Sequence, residues 1–431
     1  MRNRLLPPLS ALLSALLSAV LSPVLATTLV GAASASVASA SAASSASAER
    51  TVPARRIAYT EWTSAAGFAA GTAEGVRVGH GRLRLAEPVA QRTYLDKRYD
   101  EGRWSSPWTS PGFGLTELVA SWSAVTPGDS WIEVKVRGRD AAGVTSSWDT
   151  LGRWTSGDAF TRRTSVPAQG DDLATVNVDT WRAAETAGLV SWQLQVSLLR
   201  EVGATSRSPR VTTLGAVATR LPDVSSVATS KPGVARGIVL DVPRYSQMMH
   251  RGHYPAWGNG GEAWCSPTST SMVLGYYDAL PPASFSAWVP AGHVDPWVDG
   301  AARATYDAAY RGTGNWPFNT AYAAPLAGHA FVTRLRSLRA AERYVAAGIP
   351  LVASVSFGYG ELDNAPISST KGHLLVIVGF TKTGDVIVND PAAASRAGVR
   401  RTYDRGQFEN AWIPRSGGLV YVIHDDAHPL P

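Results

Sequence analysis

The chain has 431 residues, of which 45% are hydrophobic and 17% charged. This length allows two domains, and the composition is that of a globular protein rather than of a disordered tail. The net charge is +6, but basic and acidic residues are interspersed and form no Lys/Arg stripe. The sequence therefore excludes a nucleic-acid partner that binds through a basic surface.

Residues 1–48 have the pattern of a secretory signal peptide followed by a tract of small residues. Arg2 and Arg4 precede an apolar stretch at 5–30, and Ala-x-Ala sites follow, as at 46–48. An uncleaved anchor is the alternative, because about 20 apolar residues span a bilayer. We favour cleavage. The prediction is a secreted, extracellular protein, which could be associated with the cell wall and has no transmembrane domain in its mature chain.

Residues 49–222 show short runs of alternating apolar and polar residues, as at 115–125, 131–140, 173–181 and 188–201. Turn signals separate the runs, which predicts an all-β sandwich of the jelly-roll-like type. Its tryptophans could form a sugar-binding platform, but tryptophans spread over many strands are more often core residues. We expect a core role and keep binding of cell-wall glycan as an open alternative. The tryptophans are Trp62, Trp104, Trp108, Trp122, Trp131, Trp148, Trp154, Trp181 and Trp192.

A stretch rich in Ser, Pro and Gly, residues 223–237, is predicted to be a linker. From residue 238 to 431 the pattern changes to mixed helix and strand. Helices are predicted at 267–279 and 335–348, and strands at 350–357, 373–380, 385–390 and 418–424. Strands gathered after helices favour an α+β domain.

Cys265 is the only cysteine, so no internal disulfide can form. A lone thiol in an exported protein is reactive, paired between molecules, or a small buried hydrophobe. Pro267 is typical of a first helical turn, which places Cys265 at a helix N-terminus, where free N–H groups stabilise a thiolate. The polar run 266–271 is a poor setting for an inert thiol, and Gly260 and Gly261 would let a substrate chain approach. We therefore favour Cys265 as a nucleophile.

His373 opens a predicted buried strand, and Asp390 ends the next one, 17 residues later. A hairpin closed through 382–385 would place Asp390 opposite 375–377, at the end of the sheet that carries His373. Separately, a strand-end histidine and a turn aspartate before Pro391 would need no function. Together with Cys265 they predict a Cys-His-Asp triad, in which the aspartate orients the imidazole.

Two further segments have candidate roles. His250 and His253 form an H-x-x-H pattern that hints at a metal, but no third ligand is evident in the sequence, so we predict no metal site and no cofactor. The aromatic segment 312–322 is a candidate for lining a substrate cleft, and packing of a surface loop would explain it equally well.

Several segments together resemble a known family. They are YSQ at 245–247, WCSPTSTSMVLGYY at 264–277, KGHLLVIVGF at 371–380 and GDVIVNDPAA at 384–393. In order and spacing they resemble the bacteriocin-leader (double-glycine) peptidase-like group of papain-superfamily cysteine peptidases. The resemblance covers about 238–424 and does not include 49–222.

The resemblance implies a papain-like cysteine peptidase domain with Cys265 as nucleophile, His373 as base and Asp390 as orienting acid. It also implies that Gln247 supplies the oxyanion-hole amide. Two departures stand out, because Ser266 replaces the usual glycine and 18 residues separate Gln247 from Cys265. The chain has no P-loop and no helical membrane domain, so leader processing is not implied.

The sequence thus favours a secreted cysteine peptidase that cleaves peptide or protein substrates through an acyl-enzyme. One alternative is a cell-wall peptide amidase or endopeptidase whose N-terminal module binds glycan. The other is a catalytically silent surface-binding protein, against which the presence of all the predicted triad members argues.

Overall fold

A computed structural model describes residues 54–170 and 172–431. The predicted signal peptide and small-residue tract, 1–48, lie outside these residues. Within the described part of the chain, no helix is both long and apolar enough to cross a membrane.

Residues 54–220, here called the N-terminal half, form two antiparallel sheets and a short helix, α1 (Ala65–Ala69). The strands in chain order are β1 Arg56–Trp62, β2 Thr72–Glu74, β3 Val76–Gly79, β4 Arg82–Leu85, β5 Ala90–Tyr94, β6 Lys97–Ser105, β7 Glu117–Val125, β8 Trp131–Arg139, β9 Asp149–Trp154, β10 Ala174–Asn177, β11 Thr180–Ala183, β12 Ser191–Glu201 and β13 Arg210–Arg220. One sheet has the order β10-β11-β7-β13-β4-β3, with β1 paired to β13. The other has the order β2-β6-β12-β8-β9, with β5 paired to β6. The predicted N-terminal β domain is confirmed, and α1 is a short helix that the prediction did not include.

Tryptophans fill the space between the two sheets. Trp62 of the first sheet meets Trp104 and Trp192 of the second edge-on, with ring centroids 5.5 and 5.9 Å apart. A fully buried tryptophan removes roughly 200 Å² from water, worth about 5 kcal/mol before the loss of chain entropy. The predicted core role is confirmed for seven of the nine, namely Trp62, Trp104, Trp122, Trp131, Trp154, Trp181 and Trp192.

One predicted strand is instead a hairpin. The run 173–181 divides into β10 and β11, which pair from Asn177 to Thr180 across the two-residue turn Val178-Asp179. The turn depends on a positive φ of 55° at Val178. Because β-branched residues rarely adopt that conformation, the alternating pattern gave no sign of a reversal.

The C-terminal half, residues 238–431, combines one sheet with five α-helices in the described residues. The helices are α2 Cys265–Tyr276, α3 Pro296–Thr305, α4 Trp316–Ala327, α5 Leu338–Ala346 and α6 Arg405–Ser416, with 3-10 turns at Gln247–His250, Gly261–Ala263, Ala283–Ser286 and Arg396–Gly398. The strands are β14 His329–Arg334, β15 Leu351–Phe357, β16 Thr370–Phe380, β17 Val386–Asn389, β18 Arg400–Tyr403 and β19 Leu419–His424. The sheet is antiparallel, with the order β14-β19-β15-β16-β17-β18. The predicted mixture of helices and strands is confirmed.

The two halves share a buried core. Phe318 of α4 packs against Trp122 and Trp154 of the sandwich, with ring centroids 6.1 and 5.5 Å away. Nearby, Ser121 Oγ of β7 accepts a 2.8 Å hydrogen bond from the amide of Val332 in β14. Apolar and polar groups therefore both pair across this boundary, as they do inside a single domain.

The segment predicted as a linker, 223–237, lies against the C-terminal half. The buried carboxylate of Glu342 accepts hydrogen bonds from the amides of Gly233 and Ala235. Glu409 accepts another from the amide of Ser230 at 2.6 Å. These side chains satisfy backbone N–H groups that a short irregular segment cannot pair with itself.

Candidate active site

Cys265 is the first residue of α2 and is partly exposed. The helix was predicted to begin at Pro267 and begins two residues earlier. The polar run 266–271 is buried rather than exposed, and Ser269 Oγ donates to the carbonyl of Leu374 at 3.0 Å. Ser266, which departs from the usual glycine, shares a 2.9 Å hydrogen bond with the hydroxyl of Tyr421. The helix body is therefore held in the core, while the thiol at its N-terminal end faces a cleft.

His373 and Asp390 meet across the β16–β17 hairpin. Val376 pairs with Asn389, which places Asp390 beside residue 375 and confirms the predicted register. His373 Nε2 lies 2.8 Å from Asp390 Oδ1, and both side chains are buried. The side chain of Cys265 is close enough to His373 to raise the pKa of its imidazole. The structure thus brings together the three residues predicted as a triad.

The charges in this group favour a protonated imidazole. Burial alone would lower the pKa of His373, but the charge of Asp390 and the hydrogen bonds with Asp390 and Cys265 outweigh it and raise the pKa to about 10. Burial alone would raise the pKa of Asp390, but the charge and hydrogen bond of His373, with further hydrogen bonds, lower it. An imidazolium held between a carboxylate and a thiol is the arrangement that stabilises a thiolate.

Tyr403 belongs to the same cluster but was not identified from the sequence. Its hydroxyl donates to Asp390 Oδ2 at 2.7 Å, and the amide of Ala392 donates to Oδ1 at 3.0 Å. Tyr403 is fully buried in β18, a strand that the sequence analysis did not predict. Without that strand, no spacing rule connects residue 403 to residue 390.

Gln247 lies between the Asp390 segment and the residues before Cys265. Its backbone amide donates to the carbonyl of Pro391 at 2.9 Å, and its Nε2 donates to the carbonyl of Glu262 at 2.5 Å. Its Oε1 is buried and has no hydrogen-bond partner in the described chain. Among the described residues, Gln247 is not part of the cleft lining. Its role as an oxyanion donor stays a prediction.

Gly260 and Gly261 were expected to let a substrate chain approach Cys265, and this expectation is wrong for Gly261. A Cβ on Gly261 would lie 1.8 Å from the carbonyl oxygen of His250, so this glycine permits a backbone contact inside the loop. The cleft is lined instead by Gly258 and Asn259 from this loop.

The cleft beside Cys265 has a volume of about 630 Å³ and is built by both halves of the chain. The N-terminal half contributes the β10–β11 hairpin. The C-terminal half contributes Gly312, Thr313, Gly314 and Trp316, so the first part of the candidate segment 312–322 does line the cleft. The remainder is not a surface loop, because it forms the buried start of α4.

Asp179, at the turn of the β10–β11 hairpin, connects the two walls. Its Oδ2 accepts a 2.9 Å hydrogen bond from the backbone amide of Trp316, and its Oδ1 accepts one from Thr180 at 3.2 Å. Burial outweighs these hydrogen bonds and raises the pKa of Asp179 to about 6. Asp179 could not be identified from the sequence because its position depends on the unpredicted turn.

His250 and His253 do have a third partner. Asp299 of α3 lies within hydrogen-bond distance of both imidazoles. The sequence made no third ligand evident, and the fold supplies Asp299 as a candidate. The reason is that Asp299 lies 46 residues beyond His253 and approaches it only through folding.

Two family models match the chain. Residues 239–420 match the Peptidase_C39 like family, and residues 58–219 match the Peptidase C39 N-terminal domain. Both matches are to C39 peptidase family models and are consistent with a C39-like cysteine peptidase family. They confirm the resemblance seen in the C-terminal half, and the second match adds the N-terminal half, which the resemblance did not include. A C39-like family suggests peptidase activity. Among the curated proteins compared with the chain, none matches it.

Proposed function

We propose that the protein is a cysteine peptidase that hydrolyses peptide bonds with Cys265, His373 and Asp390. The observation that carries this proposal is the position of Cys265 at the cleft, near a His373 imidazole whose Nε2 lies 2.8 Å from Asp390 Oδ1. A nucleophile in contact with a base, and a base oriented by a third group, is the geometry of covalent catalysis in acyl transfer.

In the first half of the reaction, the Cys265 thiolate attacks the carbonyl carbon of the substrate. The carbonyl oxygen gains the negative charge, and His373 then donates its proton to the leaving amine as the C–N bond breaks. The product of this half is a thioester between Cys265 and the acyl part of the substrate. Asp390 acts through His373 by holding the ring and stabilising its charged form.

In the second half, neutral His373 removes a proton from water as the water attacks the thioester. The C–S bond breaks, the acid product leaves, and the Cys265 thiolate faces the His373 imidazolium again. The developing oxyanion needs N–H donors, and the backbone amide of Cys265 at the start of α2 is one candidate. Gln247 is the second, because its amide has one more N–H than the bond to Glu262 uses.

The substrate we propose is a peptide or protein outside the cell, which the signal pattern of 1–48 supports. The N-terminal half supports it in another way, because its β10–β11 hairpin lines the cleft. We therefore assign this half a direct part in substrate binding and treat glycan binding as a separate prediction.

The test is digestion of a defined mixture of peptides by the purified protein, with the products identified by mass spectrometry. We expect cleavage at a consistent set of bonds, and a loss of at least about 10³-fold with Cys265→Ala or His373→Ala. His329→Ala is the matched control, since His329 lies on β14 and is paired with Asp426. Cleavage that persists in Cys265→Ala would reject the proposed nucleophile.

A further inference from the structure

A second cluster of side chains, outside the triad, has the chemistry of a metal site. His250 Nδ1 is 2.9 Å from Asp299 Oδ2, and His253 Nδ1 is 2.8 Å from Asp299 Oδ1. The three candidate ligand atoms lie within 4.8 Å of one another. We propose that His250, His253 and Asp299 together bind one divalent transition-metal ion.

Burial gives the first argument. His250 and Asp299 are fully buried, and the His253 side chain is 19% exposed. Among the described residues, no lysine or arginine lies within ion-pair distance of Asp299, whose partners are the two imidazoles. A carboxylate removed from water is costly unless a cation or hydrogen bonds compensate it. A bound dication would supply a permanent positive charge at this point.

The donor set gives the second argument. Two imidazole nitrogens and one carboxylate oxygen are ligands that suit Zn²⁺ and its neighbours, whereas Ca²⁺ and Mg²⁺ prefer oxygen alone. Three protein ligands leave a fourth position for water. The partial exposure of His253 provides a side from which an ion can enter.

A neighbouring histidine gives the third argument. The ring of His293 stacks on that of His253, with centroids 4.1 Å apart and an angle of 23° between the planes. His293 Nδ1 is buried and has no hydrogen-bond partner in the described chain. A buried donor or acceptor without a partner costs free energy. His293 therefore adds an unpartnered imidazole nitrogen on a ring that packs against the cluster.

The ion would fix the segment that leads to Cys265. His250 ends the 3-10 turn that begins at Gln247, and the carbonyl of His250 is in close contact with Gly261. The cluster joins this segment to α3 through Asp299. A metal there would therefore hold both Gln247 and the approach to Cys265, in a role that is structural and needs no peptidase activity.

The test is metal binding by the full, untagged protein carrying Cys265→Ala, which removes a thiolate that could itself bind Zn²⁺. After the protein has been stripped with a chelator, Co²⁺ is added and its visible spectrum followed, and Zn²⁺ is then used to displace it. We expect one equivalent of Co²⁺ with the intense absorption of a four-coordinate site, together with a rise in the melting temperature.

Asp299→Asn and His253→Gln should each weaken binding at least tenfold, since even residues outside the direct ligand set change affinity about 10- to 100-fold. His253→Gln is the milder variant because its side chain is partly exposed, and circular dichroism checks that both variants fold. His428→Ala, which disrupts the His428–Asp425 pair at 2.6 Å elsewhere in the chain, is the control and should bind normally.

The proposal is overturned by an absence of stoichiometric binding, or by binding that His253→Gln and Asp299→Asn leave unchanged. The peptidase proposal is unaffected by either result, because no step of this test measures cleavage.

Discussion

Asp179 of the N-terminal half accepts a 2.9 Å hydrogen bond from the backbone amide of Trp316 in the C-terminal half. Both residues line the cleft that contains Cys265. The sandwich thus holds the start of α4 through a buried carboxylate, and the cleft wall requires both halves to be present. Because the Asp179 carboxylate is removed from water, ionising it lowers the stability of the folded state by a measurable amount.

We expect Asp179→Asn to change how the stability depends on pH. The raised pKa, about 6 against an ordinary value of 3.8, means that the folded state holds this proton more tightly than the unfolded state does. The wild-type protein therefore loses stability as the pH rises from 4 to 7, by about 2 kcal/mol from this group. Asparagine does not ionise, and its carbonyl oxygen can still accept from Trp316.

The measurement is urea unfolding of both proteins at pH 4, 5, 6 and 7. The free energy of unfolding of Asp179→Asn minus that of the wild type should increase with pH over this range. The value at pH 4 is the internal control, because Asp179 is protonated there and the two side chains are alike. A difference that stays constant from pH 4 to 7 would contradict the assigned pKa.

We expect Tyr403→Phe to weaken the triad without removing any of its three members. The variant loses the 2.7 Å hydrogen bond to Asp390 Oδ2 and leaves that oxygen buried without the phenol. The pKa of Asp390 should then rise, and the acid limb of the pH profile of kcat/KM should shift to higher pH. We expect kcat to fall about tenfold and the free energy of unfolding to fall by about 1–3 kcal/mol.

The pH profile distinguishes positioning from simple destabilisation. Since the pKa of Asp390 is lowered in the fold, its stabilising effect is present above the unfolded pKa and is lost as the pH falls through the folded value. Tyr403→Phe should make this acid loss begin at a higher pH. Tyr344→Phe, on α5, is the control. An unshifted acid limb in Tyr403→Phe would mean that the tyrosine only fills space.

Patterns within short stretches of sequence predicted much of this site. They missed residues whose positions depend on the tertiary fold. Pro267 indicated the helix beginning near Cys265, and the hairpin around 382–385 gave the register that places Asp390 near His373. Asp179 and Asp299 could not be found in the same way. The first depends on an unusual φ at Val178, and the second on the docking of α3. Neither is a property of a short stretch of sequence.

We expect the two halves to unfold as one unit, with Ser121 as a sensitive point. Ser121→Ala would leave the buried amide of Val332 without its 2.8 Å partner and should lower the free energy of unfolding by about 1–3 kcal/mol. Ser123→Ala, two residues along β7, removes a hydroxyl from the same strand as a control and should cost less. Differential scanning calorimetry should give a single transition in all three proteins. Two separate transitions would contradict the shared core.

We expect the cleft to favour acidic substrates. Its lining includes four basic side chains, of which Arg182 and Arg415 are paired with Glu117 and Glu361. Arg311 and Lys371 form no ion pair within the described chain, so their charge is available to a ligand. Peptides with Asp or Glu near the cleaved bond should have a kcat/KM about tenfold above their Lys counterparts, and salt should reduce the preference.

The measurement compares matched acidic and basic peptides at low and high salt, with the wild type and the double variant Arg311→Gln/Lys371→Gln. The double variant should lose most of the preference, while the rate for neutral peptides changes little. Lys382→Gln, in the β16–β17 turn, removes a positive charge away from the cleft and is the control. If the double variant keeps the preference for acidic peptides, that preference arises from another part of the cleft.

The reactivity of Cys265 tests the triad without any knowledge of the substrate. The pKa of His373, raised to about 10, keeps an imidazolium beside the thiol through neutral pH. An ordinary thiol, with a pKa of about 8.5, is less than about one per cent thiolate at pH 6. Alkylation by iodoacetamide should therefore depend less steeply on pH in the wild type than in His373→Ala.

At pH 6 the wild type should react at least about tenfold faster than His373→Ala, with His329→Ala as the control that leaves the rate unchanged. That result would establish the thiolate–imidazolium pair and justify a search for peptide substrates. Slow labelling that is the same in all three proteins would mean that the thiol is not activated by His373. The cleft would then be a binding surface rather than a catalytic one, and glycan binding by the N-terminal half would be the next activity to measure.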